Sequence, residues 1–128
     1  MIMCIKKWGD SMNETEILES LVEEFKALGD KTRLRIISLI HNQELCVCDL
    51  TEVLEISQPG VSQHMRRLRQ GGLVKERRGG QWTYYSLNED NPFIEVILPL
   101  IPVIQEDEKR LQEFREGKEK ARRMLNEC

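Results

Sequence analysis

The chain has 128 residues, of which 32% are charged and 5% are aromatic, with a formal net charge of −3. This length fits one domain, residues 1–128, whose small core gains from dimerisation. The longest apolar run, from Phe93 to Ile104, is interrupted by Glu95, Pro99 and Pro102, so no stretch reaches the roughly 18 apolar residues of a membrane span. The N-terminus lacks the apolar core of a signal peptide, and we therefore expect a cytoplasmic protein without a membrane partner.

The first part of the chain has the pattern of two helices. Ser11 and Glu14 have the spacing of a capping box, which predicts a helix start. The apolar stripe of this helix is expected at Ile17, Leu21, Phe25 and Leu28, and the helix stops at Gly29. Asp30 is the predicted cap of a second helix, whose buried stripe includes Leu34, Ile37 and Ile40.

Residues 46–70 predict a helix-turn-helix. A short helix over about Cys48 to Leu54 is followed by a turn at Ser57 and by Pro59, which suits the first turn of the next helix. That helix runs to about Gln70. Two short helices joined by a tight turn are typical of this DNA-binding motif.

Residues 73–87 predict a β-hairpin, because a glycine pair, Gly79 and Gly80, separates two strand-like runs. A hairpin directly after a helix-turn-helix is the wing of a winged helix, so we predict a mainly α fold with one small hairpin. Asn91 and Pro92 then begin a C-terminal helical region, about 91–127, that Pro99 and Pro102 should kink or split.

The distribution of charge indicates DNA. The segment 58–82 carries about +5 and the remainder about −8, which is a local basic surface on an acidic protein. Val61, Met65 and Leu68 share one face of the fourth helix, so its other faces are free to enter the major groove. We expect base contacts from Gln58, Ser62, Gln63 and Arg66. Phosphate contacts, or minor-groove contacts from the wing, are expected from Arg67, Arg69, Arg77 and Arg78.

Four cysteines stand at positions 4, 46, 48 and 128. Disulfides are rare in the cytosol, and a pair separated by one residue is poorly placed to bridge itself, so Cys46 and Cys48 are better read as ligand or reactive thiols. Thiolates select soft or borderline acceptors, namely trivalent arsenic or antimony, cadmium, lead, zinc or copper(I).

The sequence allows two local geometries for Cys46 and Cys48. If the third helix already includes Cys46, the two thiols diverge around Val47, and one ion cannot take both unless the first turn unwinds. If Asp49 is instead the helix cap, with Glu52 completing a capping box, Cys46 to Cys48 is extended and both sulfurs lie on one side.

Three pieces of the chain together resemble the arsenic-repressor (ArsR/SmtB) family of bacterial metal sensors. They are Ala-Leu-Gly-Asp-Lys-Thr-Arg-Leu at 27–34, Glu-Leu-Cys-Val-Cys-Asp-Leu at 44–50, and the segment 58–74 that begins Gln-Pro-Gly-Val-Ser-Gln-His-Met. The resemblance implies a homodimer, formed by the first and last helices, that represses a resistance operon until inducer binds Cys46 and Cys48. Its DNA partner is expected to be a double-stranded operator with an inverted repeat.

The sequence departs from this family pattern in ways that bear on the inducer. Many arsenic sensors carry a third cysteine where Thr51 stands here, so a third thiol must come from Cys4 or Cys128. The last helix has no histidine, and the family's other site, for zinc or nickel, looks absent. We expect As(III) or Sb(III) as inducer; the alternatives are Cd(II), Pb(II) or Zn(II), or a thiol-redox switch. No catalytic motif appears, and we do not expect an enzyme.

Overall fold

The structure, a computed structural model, describes residues 12–126. Its helices are α1 (Glu14–Leu28), α2 (Lys31–Ile40), α3 (Val47–Leu54), α4 (Gln58–Gln70), α5 (Pro92–Ile97) and α6 (Gln105–Asn126), with a 3-10 turn over Leu98–Leu100. Its strands are β1 (Leu45–Cys46), β2 (Val74–Gly79) and β3 (Trp82–Leu87). No helix in these described residues is both long and apolar enough to cross a membrane.

Helix α1 begins two residues later than the sequence predicts. The cap is Asn13, whose side chain accepts a hydrogen bond from the Glu16 backbone N–H (2.8 Å), while the Glu16 carboxylate accepts one from the Asn13 N–H (3.0 Å). The predicted box at Ser11 and Glu14 is therefore wrong: Glu14 is already the first helical residue, and Ser11 lies outside the described residues. Asparagine caps as well as serine does, and the glutamate three positions on decides the register.

The predicted winged helix-turn-helix is confirmed. Helices α3 and α4 are joined by residues 55–57, and the hairpin of β2 and β3 follows directly. The hairpin turns at Gly80, whose positive φ (64°) favours glycine. Strand β3 is central in the sheet, because it also pairs with β1, where Cys46 stands opposite Tyr84.

The core lies between α2, α3, α4 and the sheet. Its largest fully buried side chains include the expected α4 stripe, Val61, Met65 and Leu68. In contrast, Phe25 was expected in the apolar stripe of α1 and is 59% exposed in the single chain, beside Leu18 and Val22, which are also exposed. Helical spacing identifies an apolar face but not what covers it.

The two prolines split the C-terminal region as predicted: α5 ends in the 3-10 turn, and α6 starts only after Pro102. Helix α6 then packs against α3. It is fixed to α2 by Arg35, whose guanidinium donates two hydrogen bonds to the buried carboxylate of Asp107 (2.9 and 2.7 Å). Leu111 enters the core, whereas Val96, Leu100 and Val103 remain exposed in the single chain.

The position of the first cap is testable by substitution. Asn13→Ala should lower the free energy of unfolding by about 0.5–2 kcal/mol, because it leaves a backbone N–H of the first turn of α1 without its acceptor. Ser11→Ala should leave that free energy unchanged. Urea denaturation at fixed protein concentration measures both, and the reverse order of effects would restore the cap predicted from the sequence.

Candidate functional site

The wing separates two clefts, because neighbouring residues of β2 face opposite sides of the sheet. Glu76 faces the cleft between the wing and α4, and so does Arg78. Arg77 faces the other side of the sheet, where it contacts Glu44 and Tyr84. Arg77 and Arg78, which were both expected to contact DNA, therefore lie on different sides of the sheet.

The cleft between α4 and the wing has a volume of about 550 Å³ and is mostly polar. It brings together five of the predicted DNA-contacting residues, namely Gln58, Ser62, Arg66, Arg69 and Arg78. Gln81 and Thr83 also line it and were missed, although the alternation along β3 places Thr83 on the same side as Tyr85. Of the remaining predicted residues, Gln63 is exposed on α4 and Arg67 is half-buried.

An internal network occupies one wall of this cleft. The guanidinium of Arg69 forms an ion pair with Glu76, and the Tyr85 hydroxyl donates a hydrogen bond to the same carboxylate (3.2 Å). Burial, together with the neighbouring Glu76 charge, raises the pKa of Tyr85 above its ordinary value. These contacts connect α4 with the wing.

On the other side of the wing, Arg77 is held by Glu44. Its guanidinium donates two hydrogen bonds to that carboxylate (2.9 and 2.7 Å) and lies 4.6 Å from the centre of the Tyr84 ring. The hydrogen bonds from Arg77 hold the pKa of Glu44 below its ordinary value. The pair ties the wing to the residues just before β1.

Cys46 and Cys48 lie at the start of α3, in a geometry that neither sequence alternative describes. Cys46 is extended (φ −89°, ψ 166°), ends β1 and caps α3, while Cys48 is already in the first turn. The two sulfurs are adjacent, and the structure joins them as a disulfide with Cα atoms 5.3 Å apart. The expectation that residues one apart are poorly placed to bridge is therefore wrong here, because the backbone turns from strand to helix between them.

Asp49 is not the cap of α3 but its third residue. Its buried carboxylate accepts a hydrogen bond from the Cys46 backbone N–H (3.0 Å), which fixes the turn. Two cations from α6 approach the same carboxylate, Arg115 Nη2 and Lys118 Nζ, each at 3.4 Å. Lys118 Nζ also lies 3.5 Å from Cys48 Sγ.

A cleft of about 570 Å³ opens over the cysteine pair. Its aromatic wall consists of Trp82, Tyr84 and Phe114, and its basic wall of Arg115, Lys118 and Arg122. None of these residues was predicted from the sequence. The three cations recur at i, i+3 and i+7, which places them on one helix face, but nothing local connects that face with the cysteines.

The donor atoms fit a soft ion once the sulfurs are reduced. One ligand atom each from Cys46, Cys48 and Asp49 lies within 4.8 Å of the other two, and thiolates are the ligands that soft ions prefer. Cys4 and Cys128, the predicted sources of a third sulfur, lie outside the described residues.

The known proteins similar to this chain include bacterial transcriptional regulators named for arsenic resistance. The family model "Bacterial regulatory protein, arsR family" matches residues 30–76. The arsenic resistance transcriptional regulator ArsR1 of Pseudomonas putida is 51% identical over 69 residues, which are 53% of this chain and 54% of that protein. The arsenical resistance operon repressor of Bacillus subtilis is 40% identical over 82 residues, 62% of this chain and 78% of that one. The chain thus spans about half the length of the Pseudomonas regulator.

Solved structures agree on the fold. The homodimeric winged helix-turn-helix DNA-binding domain Mb0332 of Mycobacterium bovis, described as a possible ArsR-family transcriptional regulator, superimposes with a TM-score of 0.63. It is 26% identical, and the match covers 73% of this chain and 87% of that structure.

The adjacency of the two sulfurs predicts their oxidation chemistry. In a Cys4→Ser, Cys128→Ser background, mild peroxide should close the Cys46–Cys48 disulfide, because each thiol meets its partner within one chain. Iodoacetamide should then label neither cysteine until a phosphine reductant is added. Peptide mass spectrometry reads the labelling, with Cys46→Ser as the control in which Cys48 cannot form this bond. If Cys48 is still alkylated after peroxide treatment in the background that keeps Cys46, the adjacency of the two sulfurs is contradicted.

Proposed function

Because this chain belongs to the arsR family of bacterial regulatory proteins, we propose that it is a transcriptional repressor that releases operator DNA when Cys46 and Cys48 capture As(III) or Sb(III). The observation that carries the proposal is the position of the two sulfurs. They stand where the strand that pairs with the wing becomes the helix that supports the recognition helix.

The DNA side of the proposal rests on the exposed face of α4 and on the wing. Gln58, Ser62, Gln63 and Arg66 are exposed and are assigned to base edges in the major groove. Phosphate or minor-groove contacts are assigned to Arg67, Arg69, Arg77 and Arg78. Arg78 has no competing ion pair among the described contacts. To contact DNA, Arg69 must leave its ion pair with Glu76 or share its guanidinium between Glu76 and the DNA, and the same holds for Arg77 and Glu44.

A homodimer completes the proposed DNA-binding unit. Exposed apolar side chains lie on α1 and on the segment around the two prolines, namely Leu18, Val22, Phe25, Val96, Leu100 and Val103. Water-exposed groups of this size are best buried against a second copy, and a two-fold dimer matches an operator with an inverted repeat.

Two contiguous routes lead from the cysteines to the DNA-binding elements. Cys46 stands opposite Tyr84 in the sheet, and Tyr84 stands opposite Arg77, so a shift of the strand end reaches the wing. Cys48 lies in the first turn of α3, which packs directly on α4. A ligand that is bound by both sulfurs and by a third donor changes the conformation of this turn. The distance between α4 and the wing then changes as well.

Ligand capture requires both cysteines as thiols. Two small-molecule thiols reduce the disulfide and leave as their own disulfide. Cys46 and Cys48 then supply two sulfur ligands, and we assign a third to Cys4 or Cys128, from the same or the partner subunit. Three-coordinate As(III) and Sb(III) need no more than this.

The disulfide favours a second candidate, a thiol-redox switch. Peroxide would take two electrons from the Cys46 and Cys48 thiols, giving the disulfide and two molecules of water. This alternative predicts that peroxide releases the operator without any metalloid and that a thiol reductant restores binding.

Substitution of either sulfur tests the proposed sensor. Cys46→Ser or Cys48→Ser should bind operator DNA as the parent chain does, yet fail to release it when arsenite is added, because one ligand is lost. Fluorescence anisotropy with labelled operator at fixed salt measures this, since DNA affinity depends steeply on salt.

Substitution of Cys4 and Cys128 extends the test to the third ligand. Cys4→Ser and Cys128→Ser in turn identify which thiol supplies the third ligand. If both substitutions at 46 and 48 still respond to arsenite, the sensor assignment is wrong; if peroxide alone releases the parent chain, the redox alternative is favoured.

Substitution on the recognition helix tests the DNA assignment. Gln63→Ala and Arg66→Ala should each weaken operator binding by about 1–3 kcal/mol and relax specificity at one base pair, because a base-edge contact is lost. Arg123→Ala, an exposed residue of α6 paired with Glu119, is the control. If Gln63→Ala and Arg66→Ala bind the operator as tightly as Arg123→Ala does, and with the same preference over random DNA, α4 is not part of the interface.

A further inference from the structure

The Asp49 carboxylate is a third potential ligand beside the two sulfurs. It is buried, with a side chain that is 4% exposed, and its ligand oxygen belongs to the group within 4.8 Å of both sulfurs. Two thiolates and a carboxylate form a donor set that suits borderline divalent ions such as zinc or cadmium, which need a third and fourth donor.

Both carboxylate oxygens are already engaged by α6. Arg115 approaches Oδ2, which also accepts the Cys46 N–H, and Lys118 approaches Oδ1. A buried carboxylate is stabilised by such partners, and an incoming cation must displace them before the oxygen can act as a ligand. Lys118 further places its charge beside Cys48 Sγ, and it lines the cleft over the cysteine pair.

Trivalent metalloids do not need this oxygen. Arsenous acid, As(OH)₃, reacts with two thiols so that two As–S bonds form and two As–O bonds break. Each thiol proton leaves in a water molecule, and arsenic keeps one hydroxide as its third ligand until another thiol replaces it. No net charge enters the cleft in this exchange, and no oxidation state changes.

We propose that Lys118, together with Arg115, determines the specificity of the cysteine site by withholding the Asp49 carboxylate from divalent ions. The inference rests on the proposed function, since it explains which ion the Cys46–Cys48 pair accepts. These cations act through Asp49 and are positioning residues. They convert a potential two-sulfur, one-oxygen site for a divalent ion into a site that favours a neutral trivalent acid.

Lys118→Met tests this with the full chain, reduced and anaerobic. Removing the ammonium frees Asp49 Oδ1, and cadmium should bind about 10-fold more tightly, the lower end of effects seen when outer partners of metal ligands are changed. Arsenite affinity should stay within about 2-fold, because no ligand of arsenic changes. Thiolate-to-cadmium charge-transfer absorbance follows cadmium, and arsenite is measured by competition.

Further variants make the test specific. Lys120→Met, an exposed lysine of α6 outside the cleft, should behave as the parent chain. Asp49→Asn added to Lys118→Met should remove the gain in cadmium affinity, because the released oxygen is then neutral. Lys118→Arg, which keeps the charge, should retain the parent preference. Lys118→Gln, which removes the charge, replaces the methionine variant if that variant fails to fold.

The outcomes separate the two proposals. The inference is overturned if Lys118→Met and Lys120→Met have the same cadmium-to-arsenite ratio, or if the gain survives Asp49→Asn. If arsenite binds the parent chain through residues other than Cys46 and Cys48, the proposed function fails. The cadmium affinities of the Lys118, Lys120 and Asp49 variants then decide whether Lys118 withholds the Asp49 carboxylate from divalent ions.

Discussion

The hydrogen bond from the Cys46 backbone N–H to the Asp49 carboxylate is the contact on which the rest of the candidate sensor depends. It fixes the point where β1 ends and α3 begins, and so it sets the positions of both sulfurs. The same carboxylate receives Arg115 and Lys118, which anchor α6 over the cleft. One buried side chain therefore joins a strand end, a helix start and the C-terminal helix.

The elements of the winged helix could be predicted from the sequence because their signals are local. The α4 stripe follows helical spacing, and Gly79 and Gly80 mark the hairpin whatever the rest of the chain does. The register of the first cap was wrong because two polar residues, Ser11 and Asn13, both suit a helix start. Only the reciprocal contact with Glu16 distinguishes them.

The candidate sensor could not be predicted to the same depth, because its geometry is non-local. Whether Cys46 is extended depends on its pairing with Tyr84, on the far side of the helix-turn-helix. The basic wall of the cleft depends on how α6 docks, which the Arg35–Asp107 pair and Leu111 decide. The sequence identified the reactive residue types and their soft-ligand chemistry, but not the residues that surround them or the bond between the sulfurs.

The alternating faces of β2 have a consequence for how such a repressor can diversify. Arg78, with Gln81 and Thr83, faces the side of α4, whereas Arg77 and Tyr84 belong to the cysteine side. Under the proposed function, substitutions among the residues on the α4 side can change operator preference without touching the residues beside the cysteines. The six residues of β2 thus belong to two separate surfaces.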